Sequence, residues 1–157
     1  MTYLWPEGDR LKRNPPPPNE LCARIDAALT PIKPMLRGLK WETDQAEQSF
    51  VRVLLGLGPD FDMLSVTLHD AQMTIDLPVG EVPLRREALL AVLQVNVNSA
   101  WKYRVDQVTE GQAVMVLEYR APLDFAFARL GALVWQGWRE RALRQAPLQQ
   151  LFEQGDA

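Results

Sequence analysis

The segment from Pro83 to Arg144 constrains the fold most, because it reads as helix, two-stranded hairpin and helix in succession. From Ala88 to Leu93 and on to Val97, apolar residues cover more than half of a helical circumference, with Leu89, Leu90, Leu93 and Val97 on one side and Val92 and Val95 on another. Only Glu87, Gln94 and Asn98 form a polar stripe, and Pro83 suits the first turn of such a helix. Trp101, Tyr103 and Val105 then alternate with Lys102, Arg104 and Asp106. After the turn at Glu110-Gly111, the strand Ala113 to Leu117 is apolar on both faces, so it is central in a sheet or covered twice. Past Pro122, Leu123, Phe127, Leu130, Val134 and Trp138 recur at helical spacing, with Gly131, Trp135 and Ala142 on the flank. Arg139, Arg141 and Arg144 are expected near the end of that helix, where positive charge suits its dipole.

Upstream, Asn19 can cap a helix carrying Leu21, Ile25, Ala28 and Leu29, and Pro31 and Pro34 must end or kink it. A further helical turn is expected around Met35 to Leu39, stopped near Gly38. From Ser49 the period changes to two: Val51, Val53 and Leu55, then Leu64, Val66 and Leu68, then Met73, Ile75 and Leu77. These are three strands of an antiparallel meander. The expected class is therefore α+β, a twisted antiparallel sheet of five strands packed by helices in the order α-βββ-α-ββ-α.

A chain of 157 residues, 47% hydrophobic, suits one domain, here residues 19–157. Residues 1–18 read as an extended arm closing in Pro15 to Pro18, of polyproline type. Tyr3, Leu4 and Trp5 stand out in it, since three large side chains are better explained by docking on the domain or a neighbouring subunit. There is no apolar run of about 18 residues for a membrane span and none that suits a signal-peptide core, so a cytoplasmic protein with no membrane contact is expected.

Seventeen basic against twenty acidic residues give a net charge of -3, which disfavours nucleic acid as the direct primary ligand. The alternative function is that of an accessory protein acting on or near nucleic acid, either through Arg139, Arg141 and Arg144 beside Trp135 and Trp138 or through a nucleic-acid-binding partner protein. Cys22 and His69 are the single members of their kinds, so neither a disulfide nor a zinc ligand set can be assembled. His69 next to Asp70 lacks a nucleophile placed by motif, and Asp60 and Asp62 lack the rest of a calcium loop. Gly56 and Gly58 lack the third glycine of a dinucleotide fingerprint. No enzymatic activity and no cofactor are expected. Asn96 and Asn98 fall where helix hands over to strand, a place for capping and left-handed backbone.

The string Asn96-x-Asn98, Trp101-Lys102, Glu110-Gly111 and Val114-x-Val116-x-Glu118, between the apolar run from Ala88 and an amphipathic C-terminal helix, resembles the YbjN-like proteins. These share a fold with the class I chaperones of type III secretion, and the resemblance spans about residues 45–144. It implies a small acidic homodimer, joined through the second helix and a neighbouring strand, that offers grooves to a partner polypeptide and has no catalytic residues. On the residues themselves, the wide arc of the second helix and the doubly apolar strand place Val92, Val95, Val114 and Val116 at the dimer interface. Trp135 beside Gly131 is the expected anchor for an unidentified protein partner, with Leu4 and Trp5 as internal competitors for the same groove.

Overall fold

The computed structural model describes residues 15–44, 50–57, 62–97 and 100–154. Helix α1 (Glu20–Ala28) leads through a 3₁₀ helix (Thr30–Met35) to strands β1 (Leu36–Thr43), β2 (Val51–Leu57), β3 (Asp62–His69) and β4 (Gln72–Pro83). Then follow α2 (Arg86–Val97), β5 (Lys102–Thr109), β6 (Gln112–Pro122), α3 (Leu123–Phe127) and α4 (Leu130–Gln154). The six strands form one open sheet in the order β1-β2-β3-β4-β6-β5, antiparallel at β1/β2, β2/β3 and β5/β6. The class is α+β. Among the described residues no helix is long and apolar enough to cross a membrane.

Three expectations are corrected. The helical turn expected at Met35 to Leu39 is instead strand β1, which makes the sheet six-stranded rather than five-stranded. Its pairing with β2 shifts register between Leu36 and Gly38, and that irregularity breaks the alternation by which a strand is recognised. Pro83 closes β4 instead of opening α2: Leu84 N–H still donates to Gly111 O at 2.9 Å, and the helix starts at Arg86. The last helix is interrupted at Ala128-Arg129 and then runs to Gln154, so Arg139, Arg141 and Arg144 lie within α4 and not at its end. They are too far from the end of α4 for its dipole to favour their charge.

The chain divides into two compact units. The first comprises Met1–Ile75 and Arg120–Trp135. Here the Asn19 carboxamide oxygen accepts from Leu21 N–H at 2.8 Å and Cys22 N–H at 3.3 Å, which caps α1 as its position predicts. Cys22 and Ile25 on the inner side of α1 are wholly buried, and burial pushes the Cys22 thiol pKa up, as befits an inert thiol. Register places Val51, Val53 and Leu55 opposite Leu68, Val66 and Leu64, so all six share a face that retains almost no exposure. The β3/β4 connection turns through Asp70 (φ 52°) and Ala71 (φ 61°). Left-handed backbone at both central positions matches the twist of a two-residue hairpin, but an alanine there crowds its own Cβ.

The second unit comprises Asp76–Tyr119 and Gln136–Ala157. Its hairpin turns at Glu110 (φ 44°) and Gly111 (φ 79°), a left-handed pair whose second position glycine fills without steric cost. Tyr103 then opposes Leu117 and Val105 opposes Met115. Trp101 is almost wholly buried, 5.2 Å from the Tyr119 ring, and it packs against α4 at Gly137. A Cβ at Gly137 would fall 2.8 Å from Trp101 Cζ2, closer than van der Waals contact allows. Gly137 is thus the space that lets the indole approach the helix backbone.

Two stability changes follow from these geometries. Gly137→Ala forces the buried indole or the helix to shift and should lower stability by about 1–3 kcal/mol in urea unfolding, even though alanine is the better helix former. Ala71→Gly removes the left-handed strain and should raise it by about 1 kcal/mol in the same assay.

Candidate functional site

An apolar groove of roughly 380 Å³ opens on the first unit, where the end of α1 and the 3₁₀ helix meet the start of α4. Ala28, Pro31, Ile32, Gly131, Ala132 and Trp135 line it, and Arg129 supplies its cation. The local sequence explains the shape. Pro31 cannot extend α1, so the chain tightens into a 3₁₀ turn, and Gly131 lets α4 pass close by. A Cβ at Gly131 would lie 3.4 Å from Ala28 O and 3.7 Å from Pro31 Cβ, ordinary contact that would narrow the groove without a clash. Trp135 follows Gly131 by four residues on the same side of α4, and 43% of it remains exposed. Beside the groove, the Arg24 guanidinium sits 4.1 Å above the Phe127 ring and holds α1 to α3. Phe127 is therefore a half-buried cation-π partner and not the fully buried core residue that its spacing suggests, while Leu130 and Val134 are core.

A second polar centre lies in the other unit, on strands β4, β6 and β5. Arg104 donates from Nε to Glu118 Oε2 at 2.6 Å, from Nη1 to Asp106 Oδ1 at 2.9 Å and from Nη2 to Asp76 Oδ2 at 3.2 Å. One guanidinium thus gathers three carboxylates, each with a side chain less than one-sixth exposed. Asp76 Oδ1 is buried and accepts no hydrogen bond from the described residues. Burial pushes the Asp76 pKa up to about 6; Arg104 opposes the rise, and Glu118 and Asp106 add to it. Burial also works against the charge of Arg104, but its hydrogen bond to Asp106, the charge of Asp76 and its hydrogen bond to Glu118 outweigh it, and its pKa rises. The polar positions of the strand alternation held this cluster, yet sequence alone does not say which of them meet across three strands.

Of the residues expected to act, Trp135 and Gly131 come together in the groove. Leu4 and Trp5 lie outside the described residues. Val92 is only 5% exposed and Val116 not at all, so both side chains are already covered within the chain; Val114 is half-buried, and the side chain of Val95 lies outside the described residues. Exposed apolar residues lie instead at Leu90 on α2 and at Val105 and Val108 on β5, the strand paired with β6. Arg139 is exposed and Arg141 half-buried, and the side chain of Arg144 is not among the described ones. His69 Nδ1 lies 3.4 Å from Asp70 Oδ2 at the hairpin end, with Phe50 edge-on at 5.9 Å, and both members of the pair are exposed. Asp60 and Asn98 fall outside the described residues. Among known proteins, no family model and no curated sequence matches the chain.

The raised Asp76 pKa fixes the sign of a pH effect. The folded state holds this proton more tightly than an unfolded carboxyl of pKa 3.8, so the stabilising contribution is complete below about pH 4 and is lost as pH rises through about 6. Asp76→Asn cannot lose it. The difference in unfolding free energy between Asp76→Asn and the parent chain should rise by about 2 kcal/mol from pH 4 to pH 7.5, measured by urea unfolding at each pH. A flat difference would mean that Asp76 keeps an ordinary pKa.

Proposed function

We propose that this chain is a non-enzymatic protein-binding adaptor, of the YbjN-like and secretion-chaperone-like kind, that works as a homodimer. The observation that carries the reading is the Trp135 groove. A large aromatic side chain left 43% exposed beside a narrow apolar floor of proline, glycine and alanine has the make-up of an anchor site for a polypeptide segment. Arg129 at the same groove adds a charge that would select an occupant with an acid next to its apolar residues.

For the dimer, the exposed apolar residues are on α2 and on β5, the strand paired with the β6 of Val114 and Val116. Leu90 is 46% exposed on α2 and Val108 56% exposed on β5, with Val105 beside it on the strand. Strand β5 ends the sheet order, so among the described residues its outer backbone groups meet no further strand. A second copy that covers both elements would bury roughly 1,200–2,000 Å². Light scattering should give about twice the 17.8 kDa chain mass, and Leu90→Asp with Val108→Asp should halve it.

Affinity purification from the source cell tests the adaptor reading itself. One polypeptide should be recovered with the parent chain and lost with Trp135→Ala, while far-UV circular dichroism stays unchanged. Equal recovery by both proteins would reject the groove. The rival reading, an accessory role on nucleic acid through Arg139 and Arg141, predicts instead a salt-dependent complex with labelled single-stranded DNA that Trp135→Ala leaves intact.

A further inference from the structure

We propose that the groove at Trp135 is the seat of the chain's own N-terminal arm, with Tyr3, Leu4 and Trp5 as its occupants. The inference rests on the docking reading above and names the resident that an incoming segment must displace.

Chemistry selects the arm first. The groove offers an apolar surface from Ala28, Pro31, Ile32, Ala132 and Trp135, with the single cation Arg129. The sequence Tyr3-Leu4-Trp5-Pro6-Glu7 offers three large apolar side chains in a row, then a proline, then an acid two residues beyond the tryptophan. Within the first 18 residues the other bulky apolar side chains, Met1 and Leu11, stand apart from that run, the latter between Arg10 and Lys12. Trp5 against Trp135 and Glu7 near Arg129 would match the groove's apolar surface and its positive charge.

Tether length agrees. Helix α1 spans nine residues from Glu20, so its groove-lining end at Ala28 lies roughly 13 Å from its start at a 1.5 Å rise. The fourteen residues from Trp5 to Pro18 reach roughly 43 Å when extended at about 3.1 Å each, ample to turn back along α1. Asn19 N–H donates to Pro17 O at 2.7 Å, which fixes the chain's direction where it enters the helix. Four successive prolines keep the connection stiff, so docking costs less chain entropy than a glycine-rich tether of the same length. A tethered occupant that can span the distance meets its site at an effective concentration set by the tether's length and stiffness, which fills sites too weak to hold a free peptide.

The test uses the full chain labelled with 5-fluorotryptophan, its Trp135 resonance assigned through Trp135→Phe. Arm substitutions, Leu4→Asp alone and Leu4→Asp with Trp5→Ala, should shift the Trp135 ¹⁹F resonance. A synthetic peptide of residues 1–10, added to the doubly substituted chain, should restore it. That chain should also bind the peptide at least about tenfold more tightly than the parent does, as a groove nine-tenths occupied by its own arm requires. A Trp135 resonance indifferent to both arm variants, or equal peptide affinity for parent and variant, overturns the proposal. A parent resonance that moves on dilution also overturns it, by assigning the groove to the arm of a second copy. Failure here leaves the docking reading standing as long as Trp135→Ala still loses the partner in affinity purification; equal recovery there removes the docking reading itself.

Discussion

The strands of this sheet must hide one of their two faces completely, and the rest of the structure answers that demand. Val51, Val53 and Leu55 with Leu64, Val66 and Leu68 in one unit, and Ala113, Met115 and Leu117 in the other, keep at most 2% exposure. Each of the valine, leucine and methionine side chains contributes about 1.5–3 kcal/mol by leaving water, and a slip of one residue would turn the whole set outward. Register therefore has to be fixed locally, and both two-residue hairpins fix it with left-handed backbone, at Asp70-Ala71 and at Glu110-Gly111. Only the second uses glycine. The first carries strain at Ala71, whose carbonyl accepts from Leu123 N–H at 3.0 Å, so the turn also anchors the start of α3.

The opposite side of β5 and β6 shows what hiding one face leaves over. Alternation that sends Tyr103 and Leu117 into the core sends Arg104 and Glu118 to the other side, where Asp106 and Asp76 join them. One guanidinium against three carboxylates is a poor bargain in a half-buried place: its net contribution to stability is small, because desolvation offsets most of the attraction. What the arrangement supplies is specificity. Three strands must be in register for Nε, Nη1 and Nη2 of Arg104 each to find its own oxygen, and the cluster covers an edge strand with charge.

Much of this was legible in the sequence. The cap at Asn19, the breaks at Pro31 and Pro34, the alternation of β2, β3, β4 and β5, the doubly apolar β6 and the Glu110-Gly111 turn all follow from local rules that the structure obeys. Strand β1 was not legible, because the register shift near Gly38 erases its period. The start of α2 was misplaced, because Pro83 suits a strand end as well as a first helical turn. Breadth of the apolar arc points to Val92 and two apolar faces of a strand point to Val116 as dimer surface, and neither pattern says which side the chain itself covers. The groove was half legible: Gly131 and Trp135 share a side of α4, but Pro31 and Ala28 enter only through tertiary contact. The ionic cluster needed three strands to be placed before any of its pairings could be seen.

The central claim is that the working surface of this protein is the apolar groove at Trp135, filled by polypeptide, and not the arginines farther along α4. Site-specific photocrosslinking in the source cell compares the two directly, with p-benzoylphenylalanine replacing exposed Ala132 in the groove or exposed Arg139 on α4. The account predicts polypeptide adducts from position 132, mapping to residues 1–14 or to a partner protein, and little from position 139. Adducts that form at 139 and not at 132, above all to nucleic acid, would contradict it.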